Sequence, residues 1–374
     1  MTLRTPILQF GTGRFLQAHI DLFVSEALKR GEAIGAITVV QTTDSPASIA
    51  RIAALAQPGG YPVRIRGLVD GQTVDRELRS RSVRRALAAG RDWSDVRRIA
   101  VEEAEVIVSN TGERGFALHP DDDAELITGL DRVPRSFPAK LVVLLHARWQ
   151  ARPNSPLSIF PCELITRNGD VLRSIVGNLA SVWALPASFQ DFLVARCRWA
   201  NTLVDRIVSE PIEPIGAVAE PYALCAVERQ DGLQLPCRHD AIVVTDDLGR
   251  YERFKLHILN LGHTILAERW LSERRRHDET VLEAMNTPVA RDQLEAIWAE
   301  EVLPVFAAEG LAKESQAYRD EVRGRFLNPF LAHRLGDIAQ NHGEKMRRRL
   351  EPIVTAGQTH GILQPRLRSI GGLA

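Results

Sequence analysis

The segment from Ile7 to Gln41 constrains the fold more than any other. Ile7-Leu8-Gln9-Phe10 is a short apolar run that stops at Gly11-Thr12-Gly13. From Arg14 the apolar positions change to helical spacing. Phe15, Leu16, His19, Leu22, Phe23, Ala27 and Leu28 recur at steps of mostly three and four, and Gly31 closes the helix. Ala36-Ile37-Thr38-Val39-Val40-Gln41 is β-branched and predicts a second strand. Strand, Gly-x-Gly, helix and strand in this order open a parallel sheet of the dinucleotide-binding kind.

Gly11 and Gly13 let the backbone turn tightly and approach a pyrophosphate, and a helix starting at Arg14 offers free N–H groups and a positive dipole end. The fingerprint is incomplete. Leu16 stands where a third glycine is expected, with Ala18 two residues on. The acidic residue that would hold a ribose hydroxyl at the end of the second strand is replaced by Gln41, and Asp44 follows three residues later. Gln41 retains an amide to offer the ribose. No arginine follows directly to welcome a 2′-phosphate, so NAD is expected over NADP without excluding the latter.

A chain of 374 residues is too long for one ordinary core and predicts two domains. Residues 1–200 are expected to form a Rossmann-like α/β NAD-binding domain. Residues 201–374 are expected to form a C-terminal substrate and catalytic domain, a β extension over about 211–247 followed by helices. The formal net charge is +0, so neither nucleic acid nor an anionic membrane is indicated as a partner. Cys162, Cys197, Cys225 and Cys237 lack metal-ligand or redox spacing, which fits free thiols in a reducing cytoplasm, and no metal is expected. Met1 to Pro6 shows no charged region followed by an apolar core, and no apolar run reaches the ~18 residues needed to span a bilayer.

Further along, Tyr61 to Asp75 predicts strands on either side of Asp70-Gly71. Val83 to Gly90 and Val96 to Ala100 read as helical. Ala104 to Ser109 is a strand that runs into the polar tip Asn110-Thr111-Gly112-Glu113. In a parallel sheet such tips meet ligands, so Asn110 and Thr111 are candidates for the nicotinamide side; an ordinary Asn/Gly turn is the alternative. Leu141 to Trp149 suits a buried helix or strand equally. Ser158 to Glu163 predicts a strand, and helices follow over Val171 to Trp183 and Phe189 to Asn201. In the stretch Asn201 to Val208, Asp205 and Arg206 form either a structural bridge or, for Asp205, a contact with substrate or lysine. From Tyr251 the chain is nearly all helical.

Lys255-Leu256-His257-Ile258-Leu259-Asn260-Leu261-Gly262-His263 carries the chemistry. On an α-helix Lys255, Asn260 and His263 share an arc of about 140°, with His257 on the other side. Gly262 beside them leaves room for approach to the backbone. A lysine buried among apolar neighbours loses solvation of its charged form and can act as a base, an Asn amide donates to an oxygen gaining charge, and a neutral His orients a hydroxyl. Taken alone, the same residues also suit the polar face of an amphipathic helix and a satisfied core histidine. Tyr251-x-x-x-Lys255 has the spacing of the short-chain dehydrogenase pair, but it falls in the second domain, far from the glycine turn.

Taken together the chain resembles the mannitol dehydrogenase family of polyol-specific long-chain dehydrogenases. The resemblance rests on Lys255, Asn260 and His263 as Lys-x4-Asn-x2-His, and on Gly11, Gly13, Phe15, Ala18 and His19 as Gly-x-Gly-x-Phe-x-x-Ala-His. Blocks at Ser109-Asn110-Thr111, Pro161-Cys162-Glu163 with Asn168-Gly169, and Asn201 to Val208 follow in order. The wording of the middle blocks is closer to a short branch of altritol- and tagaturonate-type enzymes. The resemblance implies Lys255 as general base, Asn260 polarising the substrate oxygen and His263 orienting the hydroxyl. It implies Gly11, Gly13, Arg14, Phe15, Gln41, Asn110 and Thr111 around NAD, and Asp205 and Glu163 on the substrate side. Leu164 stands where the family often has a second oxyanion-binding Asn. The implied reaction is hydride transfer between NAD(H) and a hexitol such as altritol or mannitol, giving a ketose. The alternatives are a hexuronate reductase acting on aldonates, for which Arg14, Arg148 and Arg206 are candidate carboxylate clamps, and a non-catalytic NAD(H) sensor.

Overall fold

The computed structural model describes residues 4–43, 46–112, 114–129 and 132–372. Asp44 and Glu113 lie outside the described residues. The chain divides into two compact units. One takes the residues up to Ile65 together with Arg76–Leu248; the other takes Arg66–Asp75 and the residues from Gly249 onward.

The strands run β1 (Ile7–Phe10), β2 (Ile37–Gln41), β3 (Tyr61–Val69), β4 (Gln72–Ser80), β5 (Val83–Ala88), β6 (Val106–Ser109) and β7 (Leu157–Pro161). They continue with β8 (Cys197–Trp199), β9 (Thr202–Asp205), β10 (Val208–Pro211), β11 (Ala217–Ala219), β12 (Leu224–Glu228) and β13 (Ile242–Thr245). The main sheet has the order β5-β2-β1-β6-β7-β8 and its pairings are parallel. β1, β2, β6 and β7 are buried throughout, because helices cover both faces of such a sheet. The strand order reverses between β1 and β6, and ligands of this architecture meet the carboxyl ends of the strands at that switch point. Gly11 follows one of these strands and Asn110 the other; Asn110 N donates to Phe10 O at 3.0 Å.

Three expectations are corrected. In the stretch Val83 to Gly90, Val83–Ala88 is not helical: it forms β5, which pairs with β2 through Thr38↔Arg85 and Val40↔Leu87, and the helix begins at Ala89. Pairing with a buried strand overrides the helical propensity of the Arg, Ala and Leu residues. The helix expected to reach Asn201 stops at Ala195, and β8 follows as the sheet's edge strand. The division falls between Leu248 and Gly249, not after residue 200. Residues 201–248 stay with the first unit because Arg206 donates to Ala18 O at 2.6 Å, Gln234 N to Ser158 Oγ at 2.9 Å and Ile34 N to Pro236 O at 3.2 Å.

Asp70 and Gly71, at φ 51° and 75°, turn the chain between β3 and β4, as a two-residue hairpin with both central residues left-handed requires. The tip of this hairpin belongs to the second unit, where Asn328 Nδ2 donates to Arg66 O at 3.2 Å and the Arg66 guanidinium lies 4.1 Å over the Phe330 ring. The stretch Leu141 to Trp149, open between helix and strand, lies in a helix over Phe137–Ala151. The second unit is otherwise helical around a core that includes Phe254, Ile258, Ile265, Trp298, Phe306 and Phe326.

Candidate active site

At the switch point the first unit turns at a position, Gly11, that only glycine permits. Gly11 has φ +114°, and a Cβ there would lie 2.4 Å from Asn110 O. Gly13 has nothing within 4 Å of the corresponding position. These two features fit the approach of a dinucleotide's phosphates. Side chains hold the loop: Gln9 Nε2 donates to Gly11 O at 3.2 Å, and Gln17 Nε2 to Thr12 O at 2.8 Å. The helix expected to run on from Arg14 is broken. A single turn, Arg14–Gln17, precedes the main helix Ile20–Arg30, with His19 between them in a non-helical conformation. Bonds from elsewhere in the unit impose the break, since His19 Nε2 meets Leu224 O at 2.9 Å and Arg206 takes Ala18 O. Burial drives the His19 imidazole down to about 3, so it is neutral.

Arg14 is exposed and Phe15 is half-buried, stacked on His19 with ring centroids 4.6 Å apart. Gln41 is buried; its carbonyl oxygen accepts from the Thr12 hydroxyl and its amide donates to Thr43. On the other side of the switch point Asn110 Nδ2 donates to Cys162 O at 2.6 Å. Glu163, 3% exposed, receives Thr111 N at 3.0 Å, Thr111 Oγ1 at 2.9 Å and Ser109 Oγ at 3.0 Å. Burial raises the Glu163 pKa while these donors oppose the shift. Its carboxylate is thus a clamp on the β6 tip. Leu164 beside it is 80% exposed. Asp205 is buried at the end of β9, paired with Leu224.

Two of the candidate carboxylate clamps are spent on structure. Arg148 donates to Ala100 O, Val101 O, Ser155 Oγ and Pro156 O; Arg206 donates to Ala18 O and Glu220 O. Burial lowers both to about 10. Sequence reasoning also missed how Asn168 works. Its Nδ2 reaches Pro161 O, Glu163 O and Thr202, and its Oδ1 accepts from Thr202 N. This one amide ties the β7 tip to β9; only its place in the Asn168-Gly169 block hinted at a role.

In the second unit Lys255–Asn260 is a π-helical turn between the Leu248–Phe254 and Leu261–Ser272 helices. The α-helical arithmetic therefore needs correction. A ladder that closes on the fifth residue brings Asn260 back toward the face of Lys255, where an α-helix would set it about 140° away. Lys255 and Asn260 are half-buried and His263 is buried. The space beside Gly262 is already filled, since a Cβ there would meet Trp298 Cζ2 at 2.8 Å and Phe326 Cε2 at 3.1 Å. That glycine lets Phe326 stack on the His263 ring, with centroids 4.3 Å apart, while His333 approaches its edge at 4.7 Å. Burial, then the positive field of His333, Arg325, Arg349 and Lys345, holds His263 well below its ordinary value. It is a neutral imidazole. No group of three or more His, Cys, Asp or Glu suited to a metal ion occurs among the described residues. No described helix is long and apolar enough to cross a membrane.

Residues 5–236 match the mannitol dehydrogenase Rossmann domain, and residues 247–372 match the mannitol dehydrogenase C-terminal domain. The chain belongs to the mannitol dehydrogenase family. Within this dehydrogenase family it is similar to an altronate oxidoreductase of Klebsiella pneumoniae subsp. pneumoniae, 33% identical over 96% of this chain and 77% of the relative. An altronate oxidoreductase of Bacillus subtilis is 32% identical over 93% of this chain and 74% of its own. Among solved structures the fold is shared with a D-sorbitol dehydrogenase at TM-score 0.81 and 21% identity, covering 96% of this chain and 78% of that one. It is shared also with the Pseudomonas fluorescens mannitol 2-dehydrogenase, described in complex with NAD and D-mannitol, at TM-score 0.73 and 20% identity over 99% of this chain and 78% of that one. The family match over both units leaves the Tyr251 pair without a short-chain context.

Proposed function

We propose that this member of the mannitol dehydrogenase family interconverts a secondary alcohol of a linear sugar acid, or of the corresponding sugar alcohol, and the ketone, with NAD as hydride carrier and Lys255 as general base. The observation that carries this reading is the π turn with a neutral imidazole beside it, which groups an amine, an amide and a hydrogen-bond acceptor along one segment. Gly11, Gly13, Arg14, Phe15, Gln41, Asn110 and Thr111 would hold the dinucleotide. When bound, NAD accepts the hydride released from the carbinol carbon.

The chain's own groups handle the proton and the oxygen. Lys255 takes the hydroxyl proton. Asn260 donates to the oxygen while negative charge develops on it. His263, neutral, accepts from or donates to a neighbouring hydroxyl and so orients the polyol chain. Asp205 is proposed as a further substrate-side residue.

Of the two substrate classes the aldonate is favoured. Arg325, Lys345 and Arg349 create a positive field around His263, which suits a carboxylate-bearing chain, and the relatives at 33% and 32% identity are named altronate oxidoreductases. The test is NADH formation with a panel of aldonates, hexitols and pentitols, each with NAD and with NADP. Turnover is expected with an aldonate and NAD. Turnover confined to hexitols would move the substrate to the sugar alcohols. Silence across the panel, with NADH binding intact, would replace catalysis with a nucleotide-sensing role.

A further inference from the structure

An α-helix answers each inner carbonyl with the N–H four residues on; a π turn breaks that series and leaves carbonyls to be answered in other ways. In this chain Leu261 N reaches both Ile258 O and Leu256 O. Ile258 O accepts in addition from the indole Nε1 of Trp298 at 3.2 Å. Asn260 O accepts from Thr264 Oγ1 at 2.9 Å and from Arg349 Nη1 at 3.1 Å. The same guanidinium nitrogen donates to Thr264 Oγ1 at 2.8 Å, and Arg349 O meets His257 Nδ1 at 2.8 Å. Trp298 is fully buried and opens a second π turn, Trp298–Val302; Arg349 comes from the His342–Thr359 helix. Among the described residues the Arg349 guanidinium pairs with no carboxylate, so its hydrogen bonds go to the turn. Two donors distant in sequence, Trp298 Nε1 and Arg349 Nη1, thus grip two carbonyls of the Lys255–Asn260 segment, and the Arg349 carbonyl accepts from its His257 side chain.

We propose that Arg349 and Trp298 are positioning residues that hold the Lys255–Asn260 turn in its π register, and with it the relative placement of amine and amide. The proposal rests on reading Lys255 as the base. Without these donors the segment gains by returning to an α ladder, which rotates Asn260 away from Lys255. Misplacement of reacting groups by about 1 Å costs on the order of 100-fold in rate.

The experiment compares Arg349→Met, Arg349→Lys, Trp298→Phe and Lys255→Ala in full-length protein, with D-altronate and D-mannitol as probes and NAD saturating. Both Arg349 variants are expected to lower kcat about 10- to 100-fold, with KM for NAD changed less than about twofold. Trp298→Phe, which removes one donor and keeps the ring, should lower kcat by a smaller factor. Amide hydrogen exchange over residues 255–264 should quicken about tenfold or more in the Arg349 variants. Arg349→Lys restoring full kcat would show that only the charge near His263 matters and would overturn the proposal. So would a rise confined to the KM of the sugar probe, which belongs to a substrate contact. Turnover surviving in Lys255→Ala would instead remove the base reading. Should the Arg349 variants not fold, or neither probe turn over, exchange in Trp298→Phe decides: unchanged protection across the turn overturns the proposal, and lost protection supports it.

Discussion

A methyl group at position 11 would lie 2.4 Å from the Asn110 carbonyl oxygen, on a backbone at φ +114° that side chains rarely adopt. Gly11→Ala therefore either pushes the β6 tip aside or distorts the turn after β1, and both alter the switch point. NADH affinity, read by fluorescence titration, is expected to weaken at least about tenfold; an unchanged Kd would show that the dinucleotide does not rely on this approach. Lys255→Ala separates binding from chemistry. It should lower kcat by about 100-fold or more while NADH affinity stays near wild type. Near-normal turnover in that variant would sink the general-base role. Both residues stand out in the sequence as candidates because each is a type with few substitutes: a glycine after a buried strand, and an amine at fixed spacing from an amide and an imidazole. Gly262 was legible as a place where something approaches the backbone, but not what approaches it. The side chains that need it, Trp298 and Phe326, come from distant segments that no local spacing reveals.

Elements were readable where burial acts on a continuous apolar run and unreadable where pairing decides. β1, β2 and β6 announce themselves because helices cover both of their faces. β5 carries Arg84, Arg85, Ala86, Leu87 and Ala88, a composition that suits a helix, and only the parallel register with β2 makes it a strand. The π turn left no sequence signal either, because its donors Trp298 and Arg349 act across tertiary distance. The helix Asn168–Val182 shows how tightly such elements are seated. A Cβ on Gly169 would lie 2.5 Å from the Ala200 carbonyl carbon and oxygen and 2.8 Å from Trp199 O. Gly169→Ala must lift the helix off β8 and strain the Asn168 amide that joins Pro161, Glu163 and Thr202. A loss of about 3 kcal/mol is expected, read as the shift in the denaturation midpoint. A shift below about 0.5 kcal/mol would mean that the helix yields freely and that the Asn168 amide does not fix its position.

Across the whole molecule, burial of histidines sets the response to acid. His19 is held at about 3, and His146, His257, His263 and His333 are lowered too, in each case chiefly by burial. Their unfolded value is 6.5. Below that pH the unfolded chain binds protons that the native state refuses, so their contribution is intact above pH 6.5 and is lost as pH falls toward the folded values. Each such proton changes stability by up to about 1.4 kcal/mol per pH unit. Asp21 acts in the opposite sense. Burial raises its carboxyl from 3.8 to about 7, against the hydrogen bond that Tyr61 Oη donates at 2.6 Å. Its protonated form favours the native state at low pH, and that contribution disappears as pH rises through about 7. Glu163 and Glu321, also raised chiefly by burial, act in the same sense as Asp21, and the five lowered histidines outnumber these three carboxyls. The denaturant midpoint should therefore fall as pH is lowered from 6.5 to 5, before ordinary carboxylates titrate. Asp21→Asn removes one opposing group while keeping an acceptor for Tyr61, so it should gain stability relative to wild type on passing from pH 6 to pH 8. A wild-type midpoint that holds or rises on acidification would show that the buried imidazoles take up protons in the folded state, and a parallel profile for Asp21→Asn would show that Asp21 is ionised there.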